Sequence, residues 1–139
     1  MNSSAPVSAE LGLSLVVPDH GIVPLVASLY YSTDDPYAIR MAFHVGTDEP
    51  VEWIFARDLL AAGLDSPAGE GDVRVWPAID AGHGVLNIAL SSPFGHAHFE
   101  APLIATADFL ARTFEVIGTG QENTFIDLDG ELDVLLWRA

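Results

Sequence analysis

The chain has 139 residues, half of them apolar, which is enough for one domain with a buried core and no cross-links. The chain has twenty carboxylates but five arginines and no lysine, which gives a formal charge of −15. This charge disfavours binding to nucleic-acid phosphates or anionic lipid. The absence of cysteine excludes disulfides, zinc ribbons, iron–sulfur clusters and thiol catalysis, and the absence of lysine excludes Schiff-base chemistry.

The chain also shows no targeting or membrane signal. No apolar run approaches the ~20 residues that span a bilayer, and MNSSAPVSAE lacks the basic and apolar regions of a signal peptide. We therefore expect a single domain over residues 1–139 that is cytoplasmic and is not inserted directly into a membrane.

Alternating apolar and polar residues predict four strands in the first half of the chain. They cover residues 10–17, 23–31, 37–45 and 51–55. The clearest alternation lies in YAIRMAFHV, where one face carries Tyr37, Ile39, Met41, Phe43 and Val45. The fourth strand is expected to bury Val51, Trp53 and Phe55.

A short helix is predicted to follow over residues 56–63, ARDLLAAG. Gly63 is expected to end it as the residue in left-handed conformation, which glycine reaches cheaply. Asp58 would complement the helix dipole, and Arg57 would pair with a carboxylate on a neighbouring strand. Because no nucleophile or base stands nearby at motif spacing, a structural role for this pair is favoured over a catalytic one.

The second half repeats this order, with strands predicted over residues 71–77, 84–92 and 96–101 and a helix over 102–118. The helix begins at Pro102 and ends at Gly118. Its predicted apolar face consists of Leu103, Ala107, Leu110, Phe114 and Ile117. A terminal helix opened by Asp127 or Asp129 is also expected. Docking on its own sheet is favoured over docking on a partner, through Leu132, Leu135, Leu136 and Trp137.

Runs of strands followed by a helix predict an α+β fold. We expect an antiparallel, barrel-like sheet of about seven strands with helices gathered on one side, arranged as a loose duplication of a strand and helix unit.

One strand face carries a candidate metal set. His96, His98 and Glu100 alternate in GHAHFE, and His44 or His83 could supply a further ligand. The simpler interpretation is a solvated face opposite a buried one made of Ala97, Phe99 and Ala101, and it is favoured because H-x-H is a weak motif. No metal and no cofactor is therefore predicted.

Arg74 and Trp76, in GDVRVWP, are the candidate partner-binding residues. They share the face opposite Val73 and Val75, and Arg and Trp are enriched in interface hot spots. The alternative is that Trp76 fills the core or covers it under a helix. No catalytic residue is predicted, because phosphate-binding loops and nucleophile elbows are missing from the sequence.

Several blocks of the chain resemble one family in order. They are DDPYAIRMAFH, VEWIFARDLLAAG, GDVRVWP, IALSSPFG and FIDLDGELD. The chain resembles the SsgA-like sporulation and cell-division regulators of actinomycetes from about Leu11 to about Leu135, and it is most similar to the SsgB branch.

The resemblance implies a non-enzymatic protein, recruited to the division septum, that helps position and assemble the tubulin-like division protein FtsZ. It further implies that the protein acts together with an SsgA-type paralogue and that it forms a homotrimer. The implied fold is similar to that of the Whirly single-strand nucleic-acid binders. Nucleic-acid binding does not carry over, because five arginines at −15 supply no basic groove. Single-strand binding, and a metal-dependent enzyme built on His96, His98 and Glu100, remain the alternative hypotheses.

Overall fold

The computed structural model describes residues 7–46 and 49–125. Its elements in chain order are β1 Val7–Val17, β2 Gly21–Ser32, β3 Asp35–His44, β4 Val51–Ala56, α1 Arg57–Gly63, β5 Val73–Asp80, β6 His83–Ser92, β7 Gly95–Pro102, α2 Leu103–Val116 and a 3₁₀ turn Glu122–Phe125. The predicted terminal helix, with Asp127, Asp129, Leu132, Leu135, Leu136 and Trp137, lies outside the described residues.

All seven strands form one antiparallel sheet in the order β4-β3-β2-β1-β7-β6-β5, curled into a half-barrel. The α+β prediction is confirmed, as is the order of four strands and a helix followed by three strands and a helix. The two halves meet where β1 pairs with β7, in the register Ser14 to Glu100 and Leu15 to Phe99.

The two halves of the chain share a tight turn with the same serine hydrogen bond. Ser32 Oγ accepts the backbone N–H of Asp34 between β2 and β3, and Ser92 Oγ accepts that of Phe94 between β6 and β7, each at 3.1 Å. A serine hydroxyl that bonds the backbone two residues on favours a turn at both places.

The core lies on the concave face of the sheet, beneath the two helices. The rings of Phe43 and Phe99 stack across it with centroids 4.4 Å apart, which joins the two halves. The predicted face of β3 is confirmed in its middle, where Ile39, Met41 and Phe43 are buried, but Val51 is 53% exposed and its predicted burial is wrong. Val51 begins the edge strand β4, so one side of it has no neighbouring described strand.

The two edges of the sheet differ. On β5, Val75 exchanges two backbone hydrogen bonds with Ala68 of the preceding loop, at 2.8 and 2.9 Å. Pro77, two residues further, has no N–H to offer. The β4 edge has no such cover within residues 7–46 and 49–125.

Gly63 is not the left-handed residue that the sequence predicts at the end of α1. It is the last residue of α1, and the following residue, Leu64, is right-handed with φ −68°. A Cβ on Gly63 would lie 2.4 Å from Val75 Cγ2. The glycine is therefore required by the close approach of helix and strand and not by a left-handed turn.

The buried face of α2 is also displaced from the predicted one. Thr106, Phe109, Leu110 and Thr113 are buried, whereas Leu103, Ala107 and Phe114 are half-buried. Both threonine hydroxyls find a nearby backbone acceptor. Thr106 Oγ1 donates to the carbonyl of Pro102, directly before the helix, and Thr113 Oγ1 donates to that of Leu110, both at 2.7 Å.

Arg57 is buried at 1% exposure, and its partner is not on a neighbouring strand as predicted. Its guanidinium donates to the carbonyl oxygens of Thr113 and Ile117 and, at 2.7 Å, to the carboxylate of Glu122. The hydrogen bond from Arg57 is the main cause that holds the pKa of Glu122 below its ordinary value. Arg57 therefore ties the end of α2 and the 3₁₀ turn to the start of α1.

Candidate partner-binding site

The convex face of the sheet carries the predicted site residues, because alternate residues of a strand point to opposite faces. On β5 and β7, Val75 and Phe99 are buried in the core, while Arg74 and His98 stand on the other face. Trp76 faces the convex side with Arg74 and is half-buried, so the hypothesis that it fills the core is wrong.

Trp76 is held by its neighbours on β6 and β7. Its ring lies 5.4 Å from the ring of His98, tilted by 33°. His98 Nε2 donates to Asn87 Oδ1 at 2.7 Å, and Asn87 Nδ2 donates to the carbonyl of Trp76 at 3.5 Å. These contacts involve both the backbone and the ring of Trp76, so they favour one position of the indole on the convex face.

The partly buried position of the His98 ring affects its protonation. Burial lowers the pKa of His98, which disfavours its charged form. Since its hydrogen-bond acceptor is an amide oxygen, Nε2 carries a proton and acts as the donor. His96, two residues earlier, is exposed and is hydrogen-bonded to Ser91 Oγ at 2.9 Å.

A cleft of about 490 Å³ adjoins Trp76 at the β5 edge. One wall carries Arg74 and Trp76, and the other is the loop Pro67, Ala68 and Gly69. The two hydrogen bonds between Ala68 and Val75 fix that loop against the strand. The cleft is therefore lined by the Arg74 guanidinium, the Trp76 indole and a loop backbone that is hydrogen-bonded to β5.

The histidine set does not form a metal centre. His96, His98 and Glu100 do share one face of β7, as predicted, but His44 belongs to β3, three strands away, and bonds Ser28 Oγ at 2.9 Å. His83 opens β6 at the opposite end from His96. Among the residues that the structure places, no three histidine or acidic side chains are arranged to hold a metal ion. Of the face predicted to be buried opposite the histidines, Phe99 and Ala101 are buried and Ala97 is half-buried, whereas His98 and Glu100 are themselves half-buried rather than solvated.

Glu100 lies beside a second carboxyl group, that of Asp80. Burial raises the pKa of Glu100, and the hydrogen bond that protonated Glu100 donates to the Asp80 carboxylate raises it further. The pair lines a second open cleft of about 460 Å³ with Ser14 and His83.

The open end of the half-barrel forms an apolar groove of about 330 Å³. Its most exposed members are Phe94 at 98%, Val51 at 53% and Val45 at 48%. The groove is completed chiefly by Leu15, Phe43, Trp53, Leu90, Ala97 and Phe99.

Sequence periodicity placed Arg74 and Trp76 on one face but missed the residues that complete the site. Asn87 and His98 meet Trp76 only through the register of β5, β6 and β7. The loop at Ala68 is brought to Val75 by an isolated bridge that has no strand pattern. The Pro and Gly content of residues 64–71, LDSPAGEG, indicates a loop and nothing about its contact with the strand.

Comparison with known proteins gives consistent relatives. The family described as Streptomyces sporulation and cell division protein, SsgA, matches residues 25–122. The sporulation-specific cell division protein SsgB of Thermobifida fusca is 56% identical over 94% of this chain and 95% of its own. SsgB of Streptomyces coelicolor is 53% identical over the same shares of the two chains.

Solved structures agree with the fold. The crystal structure of the SsgA-like sporulation-specific cell division protein from Thermobifida fusca matches with a TM-score of 0.86 at 56% identity, covering 96% of this chain and 97% of that one. A structure concerned with SsgB mutations and longitudinal cell division in sporulating Streptomyces coelicolor matches with a TM-score of 0.87 at 50% identity, over 91% and 99%. In the described part of this chain, no helix has both the length and the apolar character needed to cross a bilayer. The chain belongs to the SsgA family of sporulation and cell-division proteins, and its relatives of highest identity given above are SsgB proteins.

Proposed function

We propose that this protein promotes assembly of the division protein FtsZ at sporulation septa through protein contacts, without catalysing a reaction. The observation that carries the proposal is the 56% identity, over 94% of the chain, to a protein named for sporulation-specific cell division. The fixed Trp76 and the exposed Arg74 support it, because both residue types are common in interface hot spots.

The proposed mechanism is multivalent presentation of one surface. A homotrimer, working with an SsgA-type paralogue, would display three copies of the Arg74 and Trp76 face on one assembly. Weak single contacts with a polymer then gain strength, because the second and third contacts form within one complex. Recruitment to the septum follows from the position of the polymer.

Sedimentation of purified FtsZ with GTP tests the proposed function. We expect the pelleted FtsZ fraction to rise with added protein, alone or together with the paralogue. An unchanged pellet in both conditions, at protein concentrations equal to that of FtsZ, would refute direct promotion of assembly.

The trimer is tested by light scattering coupled to size exclusion. We expect a mass near three times the 14.8 kDa chain. The apolar groove supports self-association, because a soluble monomer gains by covering exposed side chains such as Phe94 and Val51. Val51→Glu should lower the mass, whereas Ile79→Glu, at an 80% exposed position outside the groove, should not. A monomeric parent protein would reject the trimer.

A further inference from the structure

The arginines of this acidic chain are almost all engaged. Arg57 is ion-paired and buried, the guanidinium of Arg40 lies over a tyrosine ring, and that of Arg112 donates to a backbone carbonyl at 3.1 Å. Arg74 is exposed and, within residues 7–46 and 49–125, makes no ion pair, hydrogen bond or ring contact. Of the four described arginines, it is the one whose charge is unused.

This isolation stands out in a chain with twenty carboxylates. Glu70 and Asp72 lie within four residues of Arg74 along the chain, yet neither approaches within the 4.0 Å of an ion pair. A guanidinium presents N–H groups in a planar fork that matches a carboxylate, so Arg74 is available for a carboxylate from another molecule.

The cleft beside Arg74 is formed before any partner arrives. Gly69 holds the loop with φ +93°, and a Cβ there would lie 2.4 Å from the carbonyl oxygen of Val73, so only glycine fits. The Ala68 hydrogen bonds hold one wall, and the contact with His98 holds Trp76 on the other. A preformed site loses little conformational entropy when it binds.

The spacing of the two anchors suits an extended chain. Arg74 and Trp76 are two residues apart on β5, so their side chains project from the same face about 6.7 Å apart along the strand. An extended peptide has the same repeat between alternate residues. A carboxylate two positions from an apolar or aromatic residue would therefore meet both anchors at once.

We propose that the Arg74 and Trp76 cleft binds an extended peptide segment in which one Asp or Glu is separated by a single residue from an apolar or aromatic side chain. The carboxylate pairs with the Arg74 guanidinium, and the apolar side chain packs on the Trp76 indole. The formal charge of −15 disfavours a heavily acidic segment or a nucleic-acid strand, so a single carboxylate with apolar flanks fits best. The identity of the division protein that carries the segment rests on the proposed function, but the peptide chemistry does not.

Synthetic heptapeptides test the cleft directly, with blocked termini and the sequences GSFSDSG and GSDSFSG. They are titrated into ¹⁵N-labelled protein while the Trp76 indole and Arg74 Nε signals are followed. We expect saturable shifts of both signals with at least one peptide order, and at least a tenfold weaker response when Asp becomes Asn or Phe becomes Ala. No shift at either signal with either order overturns the proposal.

Reversing the charge of Arg74 distinguishes a specific contact in the cleft from a general effect of net charge. Arg74→Glu should abolish binding of the acidic peptide and create binding of the matching peptide with Lys in place of Asp. Arg40→Glu makes the same change of net charge on the same face of the sheet, away from the cleft, and should leave acidic-peptide binding within about twofold. Equal losses in the two variants would overturn a specific Arg74 contact. A thymidine oligonucleotide that shifts the same signals at lower concentration than the peptides would overturn the choice of a peptide.

The same variants in FtsZ sedimentation distinguish the two proposals. If Arg74→Glu loses both peptide binding and promotion of assembly, the cleft is the division contact. If the peptides bind but FtsZ is unaffected by the parent protein, the cleft stands and the proposed function fails. If the parent protein promotes assembly but binds neither peptide, the proposed function stands and the cleft proposal fails.

Discussion

Substituting Gly63 measures directly how closely α1 approaches the sheet. In Gly63→Ala, the new Cβ would lie 2.4 Å from Val75 Cγ2 and 2.9 Å from Val75 Cβ. Carbon atoms in contact prefer ~3.5–4.0 Å, so helix and strand must separate by about 1 Å. Overpacking of a well-packed core costs ~1–3 kcal/mol.

That cost has a measurable thermal consequence. For a chain of 139 residues, it lowers the midpoint of thermal unfolding by about 3–10 °C. Circular dichroism melts and calorimetry of the parent and variant proteins give the shift. Gly12→Ala is the matched control, because Gly12 lies in β1 and a Cβ there meets nothing within 4 Å. Its stability should change by less than about 1 kcal/mol.

Gly63→Asn distinguishes packing from backbone conformation. Asn reaches the left-handed region more easily than Ala, so a left-handed helix end would tolerate Asn better. Close packing predicts the reverse order, with Asn less stable than Ala because it is larger. An Ala variant that melts within about 1 °C of the parent, or an Asn variant more stable than Ala, would refute the packing explanation.

Three further predictions concern a turn and two carboxylates. Ala81 has φ 51° in the turn between β5 and β6, a conformation that Asn adopts more readily than Ala. Ala81→Asn should therefore raise the free energy of unfolding, measured by urea titration, by about 0.5–1 kcal/mol. A free energy of unfolding below that of the parent protein would contradict this. Because Arg57 lowers the pKa of Glu122 from 4.5, the ion pair stabilises the fold above that pH and is lost as pH falls through the lowered pKa. The stability difference between the parent and Glu122→Gln should therefore shrink below pH 4.5, and a difference that stays constant to about pH 3 would rule this out. Asp80→Asn should lower the pKa of Glu100 while burial keeps it above its ordinary value of 4.5, as a carboxyl ¹³C titration would show; an unchanged pKa would contradict the pairing.

The sequence allowed the strands to be predicted well, because alternation is a local property. Ile39, Met41 and Phe43 are buried as the pattern of β3 indicates. The buried face of α2 was harder, since Thr106 and Thr113 become buried only by bonding their own helix. A periodicity argument counts threonine as polar and therefore shifts the predicted face.

Long-range partners account for what could not be predicted. Arg57 meets Glu122 across 65 positions, and no spacing rule connects an arginine with a carboxylate that distant. The same holds at the candidate site, where alternation puts Arg74 beside Trp76 but only the folded sheet brings His98 to the indole ring. Local patterns set the faces of elements, whereas the contacts between faces depend on register and curvature.

The unequal edges of the sheet limit how copies of this chain can pair through their backbones. The hydrogen bonds of Ala68 and the imino nitrogen of Pro77 close one side to an incoming strand, while β4 has no covering strand or loop among residues 7–46 and 49–125. Of the two edges in the described part of the chain, the β4 edge alone can then pair, as β4 against β4, which occupies the free edge of both molecules and stops at two. A fibril requires each molecule to offer two such edges, so this asymmetry disfavours open-ended polymerisation through the backbone.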